Sequence, residues 1–140
     1  MVTKISLGIL SAIGFYISLY FTLIYLRFIS PAKFLLPNVC KLSGSTCETI
    51  INTKYAKILG FPNFVYGLFY YLAIFLFVIF DFNNYIKIAI VLISWIVVVL
   101  GVYLIYALLK VLRVNCLLCF ISHAVNFLIA VLLSFQSKIF

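Results

Sequence analysis

Residues 88–109 read IAIVLISWIVVVLGVYLIYALL, twenty-two positions in succession with no Lys, Arg, Asp or Glu. About 20 residues at 1.5 Å rise cross a hydrocarbon core of roughly 30 Å, so a stretch of this length and purity reads as a membrane span. Three further stretches, 5–26, 61–80 and 114–135, are charge-free as well. In lipid each backbone N–H and C=O must find its partner within the structure, which leaves helices or a closed barrel. No period-2 alternation of the kind a lipid-facing barrel needs runs through these segments, so they are helices. The first has Lys4 ahead of it, as a secretory signal does. Its apolar run outlasts a 7–15-residue signal core and no small-residue cleavage site follows, so it reads as a retained span.

Composition agrees. Of 140 residues 68% are apolar and only 9% charged, against roughly 25% charged in a soluble domain. That excludes a disordered tail and a water-soluble globule. Ten Lys and Arg against Glu48 and Asp81 leave a net charge of +8. The basic residues stand singly between apolar runs, so nucleic-acid binding is not expected, and the charge is read as membrane topology.

The connections 81–87 and 110–113 are short and force antiparallel neighbours. The fold expected is therefore an all-α membrane protein: one four-transmembrane-helix up-down bundle spanning 1–140, with both termini on one side. Only the loop 27–60 is long enough for structure of its own. It holds Pro31, Pro37 and the turn Leu42-Ser43-Gly44-Ser45. Ser45-Thr46-Cys47-Glu48 fits a capping box, and Ile50, Ile51, Tyr55, Ile58 and Leu59 share one side of a helical wheel. A short amphipathic helix is expected there, stopped by Gly60 and serving as an interfacial anchor or a lid, with Pro62 in the first turn of the next span.

Four cysteines carry the chemistry. Cys40 and Cys47 lie in the loop; Cys116 and Cys119 form C-x-x-C at the start of the fourth span. Two spans separate the loop from that start, so both pairs fall on one side of the membrane. Asn115 is the expected N-cap, and N–H groups at a helix start favour the reactive thiolate. Three readings compete: inert small hydrophobes, a Cys₄ zinc site, or two exchanging dithiol/disulfide pairs. Two close pairs on one side weigh against the first. The absence of a Cys-x₂-Cys knuckle in the loop pair, and a second pair set in a membrane helix, weigh against the second, so no metal is expected. A relay through mixed disulfides is favoured. Its electrons need an acceptor. With no haem, nucleotide or iron–sulfur pattern present, that acceptor is a lipid-soluble carrier.

Cys116, Cys119, His123 and Asn126 recur at helical spacing on one side of the fourth span. His123, the sole histidine, stands one turn from a thiol inside the membrane, a placement that favours a site role over a simple interhelical hydrogen bond. Asn63, near the start of the second span, is a second polar group that lipid penalises. Its blander reading is a local helix cap.

Cys40-x₆-Cys47, Asn52-Thr53-Lys54-Tyr55, Gly60-Phe61-Pro62-Asn63-x₃-Gly67 and Cys116-x₂-Cys119, in this order, resemble the vitamin K epoxide reductase family. More closely they resemble its prokaryotic thiol-oxidising members, over nearly the whole chain. The loop pair preceding the C-x-x-C separates this pattern from that of the unrelated bacterial quinone-dependent disulfide oxidases. The resemblance implies a quinone-dependent, disulfide-forming oxidoreductase. Cys40 and Cys47 would take electrons from a thioredoxin-like dithiol protein and Cys47 would exchange with Cys116. Cys119 would then deliver electrons to a membrane quinone. Asn63 matches the family asparagine that hydrogen-bonds a quinone carbonyl. His123 stands where animal members have a tyrosine contacting the other carbonyl, a departure that detaches the chain from any assumption of epoxide reduction. Some members carry a fused thioredoxin-like domain; none is expected here, so the partner would act in trans. The alternative is a non-catalytic four-span protein with a structural loop disulfide or a Cys₄ zinc site.

The family's usual arrangement places the cysteines outside the cytoplasm. Arg27, Lys33, Lys41, Lys54, Lys57, Lys110 and Arg113 lie on the cysteine side, and Lys4, Lys87 and Lys138 on the other. Seven against three predicts, by the positive-inside rule, a cell-membrane protein whose cysteines face the cytoplasm. That inversion suits cells with a disulfide-rich cytosol, as in hyperthermophilic archaea.

Overall fold

The charge-free stretches fold as helices: α1 Val2–Tyr25, α2 Asn63–Ile79, α3 Asn84–Tyr106 and α4 Leu117–Ile139. The structure, a computed structural model, describes residues 1–26, 57–58, 60–111 and 117–139. Val2–Leu23, Asn84–Tyr106 and Cys119–Gln136 are long and apolar enough to cross a membrane, and α2, with 17 residues, is a shorter apolar helix. Together they form a four-helix membrane bundle.

The contacts define an antiparallel order. Along α1 and α2, Gly8 approaches Val78, Gly14 meets Tyr71, Ser18 meets Gly67 and the Phe21 ring lies 6.0 Å from that of Phe64. Between α3 and α4, Gly101 faces His123 and Trp95 meets Phe127. The Lys4 ammonium, 3.4 Å from the Asp81 carboxylate, brings the amino terminus to the α2–α3 turn. One end of the bundle therefore carries Lys4, Asp81 and Lys87, and the other Gly60, Asn63, Lys110 and Cys119.

The core is built where α1, α2 and α4 converge: Leu7, then Tyr71, Ile74 and Phe77, then Val125, Ile129 and Leu133. The spacings of three and four put each set on one helix face. Lipid tails are as apolar as these side chains, so packing and hydrogen bonds hold such helices together. Small residues let α1 and α2 approach: a Cβ on Gly14 would lie 2.2 Å from Tyr71 Cε1, and one on Gly67 2.6 Å from Ser18 Oγ. Polar groups on α1 are satisfied locally, Ser11 donating to the Gly8 carbonyl at 2.9 Å and Thr22 to that of Ser18 at 2.7 Å. α3 is the outlying helix, far less buried than α1. Its outward side chains, Leu92, Ile96, Val99 and Tyr103 among them, face lipid.

Three expectations need correction. The loop helix was expected to run to Leu59, with Gly60 as its stop. Instead Lys57–Ile58 (β1) pairs antiparallel with Phe61–Pro62 (β2), Lys57 opposite Pro62 and Ile58 opposite Phe61. Gly60 does adopt the left-handed φ of +86° expected of it, but in a chain reversal rather than behind a helix. The preceding part of that helix, from Ser45, lies outside the described residues. Pro62 is accordingly extended and caps α2 from outside, not from its first turn. α3 starts four residues before the charge-free stretch: the Asn83 side chain accepts from the Ile86 N–H at 3.0 Å and caps it. Lys87 stands in the first turn of α3, close to a helix end, where a long amphipathic side chain is tolerated. Beyond Tyr106 the chain winds into a π-helical turn, Ala107–Val111.

Candidate functional site

Cys119 is the third residue of α4, half-buried in the first turn, where backbone N–H groups have no intrahelical acceptor. Asn63 is the first residue of α2 at the same end of the bundle, also half-buried. The position that caps α2 is Pro62, without a side-chain hydrogen bond, so the cap reading of Asn63 does not describe what is found. Cys40, Cys47, Cys116 and Asn115 lie outside the described residues. Among the described residues no three His, Cys, Asp or Glu side chains gather as a metal site.

One turn below Cys119, α4 meets its neighbours through polar groups. The Tyr71 hydroxyl donates to Asn126 Oδ1 and lies 3.3 Å from Ser122 Oγ. With the phenol proton committed to Asn126, the serine hydroxyl is the donor of the second bond. Tyr71 is 1% exposed and Asn126 8%, so this connection between α2 and α4 is made within the bundle. A parallel link joins α2 to α3, Tyr70 Oη donating to Ser94 Oγ at 3.0 Å. Further along, the Trp95 indole donates to Ser134 Oγ at 2.9 Å, and that serine donates to the Ala130 carbonyl. By helix rise Asn63 lies about 12 Å, and Cys119 about 5–10 Å, from this Tyr71 level, both toward the cysteine end.

His123 is turned differently from Asn126. The three-residue offset between them is about 60° on a helix. It is enough to aim Asn126 at α2 while His123 is placed against Gly101 of α3, whose missing side chain leaves room for the ring. Of the residues expected on one side of α4, Asn126 meets α2 and His123 meets α3, while Cys116 lies outside the described residues. Cys119 and His123 stand on successive turns, with Asn63 at the same end on the adjoining α2.

Residues 5–134 match the vitamin K epoxide reductase family. The chain belongs to that family. Comparison with individual curated proteins gives no match. As a vitamin K epoxide reductase family member it is a redox protein of the membrane, and its oxidoreductase character follows from that membership.

Sequence reasoning named Cys119, His123, Asn63 and Asn126 but missed Tyr71, Ser122, Tyr70, Ser94 and Gly101. Nothing in the aromatic-rich run of 64–77 distinguishes the tyrosine that turns inward from those that meet lipid. Gly101 did carry a signal, as the single glycine in the charge-free stretch 88–109.

Proposed function

We propose that this family member is a thiol:quinone oxidoreductase that generates disulfides. A dithiol of a thioredoxin-like partner acting in trans attacks the Cys40–Cys47 disulfide, and its electron pair passes by thiolate exchange from Cys47 to the Cys116–Cys119 pair. Cys119 gives the pair to a membrane quinone as the Cys116–Cys119 disulfide closes again. The sum balances: one dithiol and one quinone become one disulfide and one quinol, with both protons and both electrons drawn from the thiols. Asn63 and His123 are assigned to the two quinone carbonyls as hydrogen-bond donors.

The observation that carries this reading is the placement of Cys119 in the first turn of α4, one turn from His123 and at the same end of the bundle as Asn63. A lipid-borne acceptor reaches such a site from the bilayer, and a dithiol partner reaches it from water. The cysteine end is proposed to face the cytoplasm, on the seven-to-three basic bias.

The activity is tested by mixing purified protein with a reduced thioredoxin-like substrate and a quinone. Quinol and substrate disulfide are expected in equal amounts, and an inert mixture would leave the non-catalytic alternative standing. Orientation is tested by a reporter fused after Phe140. An external carboxyl terminus supports the inverted arrangement and an internal one overturns it.

A further inference from the structure

His123 and Gly101 form a seat, and we infer that Gly101 is a positioning residue that sets which edge of the imidazole the quinone meets. This deepens the proposed function and rests on its assignment of His123. A Cβ built on Gly101 would lie 2.8 Å from His123 Nδ1, 3.5 Å from Cγ and 3.6 Å from Cε1. The Nδ1 edge of the ring is therefore laid against the α3 backbone, in space that only glycine leaves open. Nδ1 is the ring atom nearest the glycine, and Nε2 is not among the three closest. α3 supplies no charge at this level: Val99, Leu100, Val102 and Tyr103 flank the glycine. α4 presents Cys119 one turn toward the membrane end and Asn126 one turn inward, the latter committed to Tyr71. The glycine thus restricts the orientations open to the ring, and with them the edge that a ligand can meet.

A methyl group at position 101 cannot coexist with this ring position. To restore ordinary contact the imidazole must move by about half an ångström or more, a displacement large enough to degrade a preorganised site. Gly101→Ala is expected to lower kcat/KM for a short-tailed benzoquinone about tenfold, mainly through KM. Single-turnover exchange between the partner dithiol and the oxidised enzyme, which does not involve the imidazole, is expected to stay unchanged.

His123 is the only histidine in the chain, so selective ¹⁵N labelling gives one imidazole to observe, independently of turnover. The inference predicts that its two nitrogen shifts change in Gly101→Ala. It further predicts that Gly101→Ala adds nothing to the quinone defect of His123→Ala in the double variant. Unchanged shifts overturn the seat, and fully additive kinetic losses overturn its action through His123. Should Gly101→Ala fail to fold, His123→Ala/Gly101→Ala is expected to fold, because the clashing ring is gone; a double variant that also fails refutes the seat. A normal quinone step in His123→Ala, with shifts that still respond to Gly101→Ala, is the separate signature of a wrong ligand assignment for His123.

Discussion

Gly14→Ala is the sharpest test of the packing that holds α1, α2 and α4 together. The added Cβ would lie 2.2, 2.4 and 2.7 Å from Cε1, Cζ and Cδ1 of the Tyr71 ring, where carbon atoms prefer about 3.5–4.0 Å. Either the ring or the helix must give by more than an ångström. The ring is 1% exposed and its hydroxyl is bonded to Asn126 and Ser122 on α4, so swinging it aside breaks the α2–α4 link. Moving α1 outward instead opens the Leu7 contact with the same core. Overpacking of this kind costs about 1–3 kcal/mol. A lost interhelical hydrogen bond in a membrane protein adds about 0.6 kcal/mol on average and up to about 1.7. The expected destabilisation is therefore about 2–4 kcal/mol, read from reversible unfolding in mixed detergent micelles. In a Tyr71→Ala background, where the ring atoms are absent, the same Gly14→Ala change is expected to cost less than about 1 kcal/mol, a coupling of the size contacting residues show. If Gly14→Ala leaves stability within about 0.5 kcal/mol of wild type, or if the two changes simply add, the reasoning is refuted.

Three further predictions follow from single contacts. Tyr71→Phe keeps the ring and removes the bonds to both Asn126 and Ser122, so unfolding in micelles is expected to ease by about 1–2 kcal/mol, less than the upper range of the Gly14→Ala effect. Ser134→Ala deprives the only tryptophan of its acceptor; the Trp95 emission maximum is expected to shift at nearly constant stability, and an unchanged spectrum would deny the bond. Asp81→Asn removes the partner of Lys4, but Asp81 is 91% exposed, so the loss measured by unfolding is expected to stay below about 1 kcal/mol and to vanish at high salt.

The fold was legible in the sequence because lipid leaves the backbone few choices. A charge-free run the length of 88–109 has to be a helix, and the short connections at 81–87 and 110–113 set the antiparallel order. Where water competes, the pattern was weaker. Ile58 and Leu59 fit a helical wheel equally well whether or not the chain reverses at Gly60, and the actual pairing of Lys57–Ile58 with Phe61–Pro62 depends on contacts that periodicity does not record. The start of α3 was missed for a related reason: absence of charge locates a hydrocarbon core, whereas the Asn83 cap and Lys87 belong to its boundary. Of the candidate site, the residues with distinctive chemistry announced themselves, Cys119 and His123 by their spacing and Asn63 by its cost in lipid. Tyr71 and Gly101 did not, because what they do depends on the neighbouring helix. One is an aromatic residue among many, and the other acts through the side chain it lacks.

The central claim is that Cys119 hands an electron pair to a membrane quinone. It is tested most directly by a single-turnover experiment with fully reduced protein and excess quinone, followed by alkylation and mass spectrometry. The account predicts prompt quinol formation with recovery of a Cys116–Cys119 disulfide, and no quinol in Cys119→Ala. Quinol formed at the wild-type rate by Cys119→Ala would contradict it.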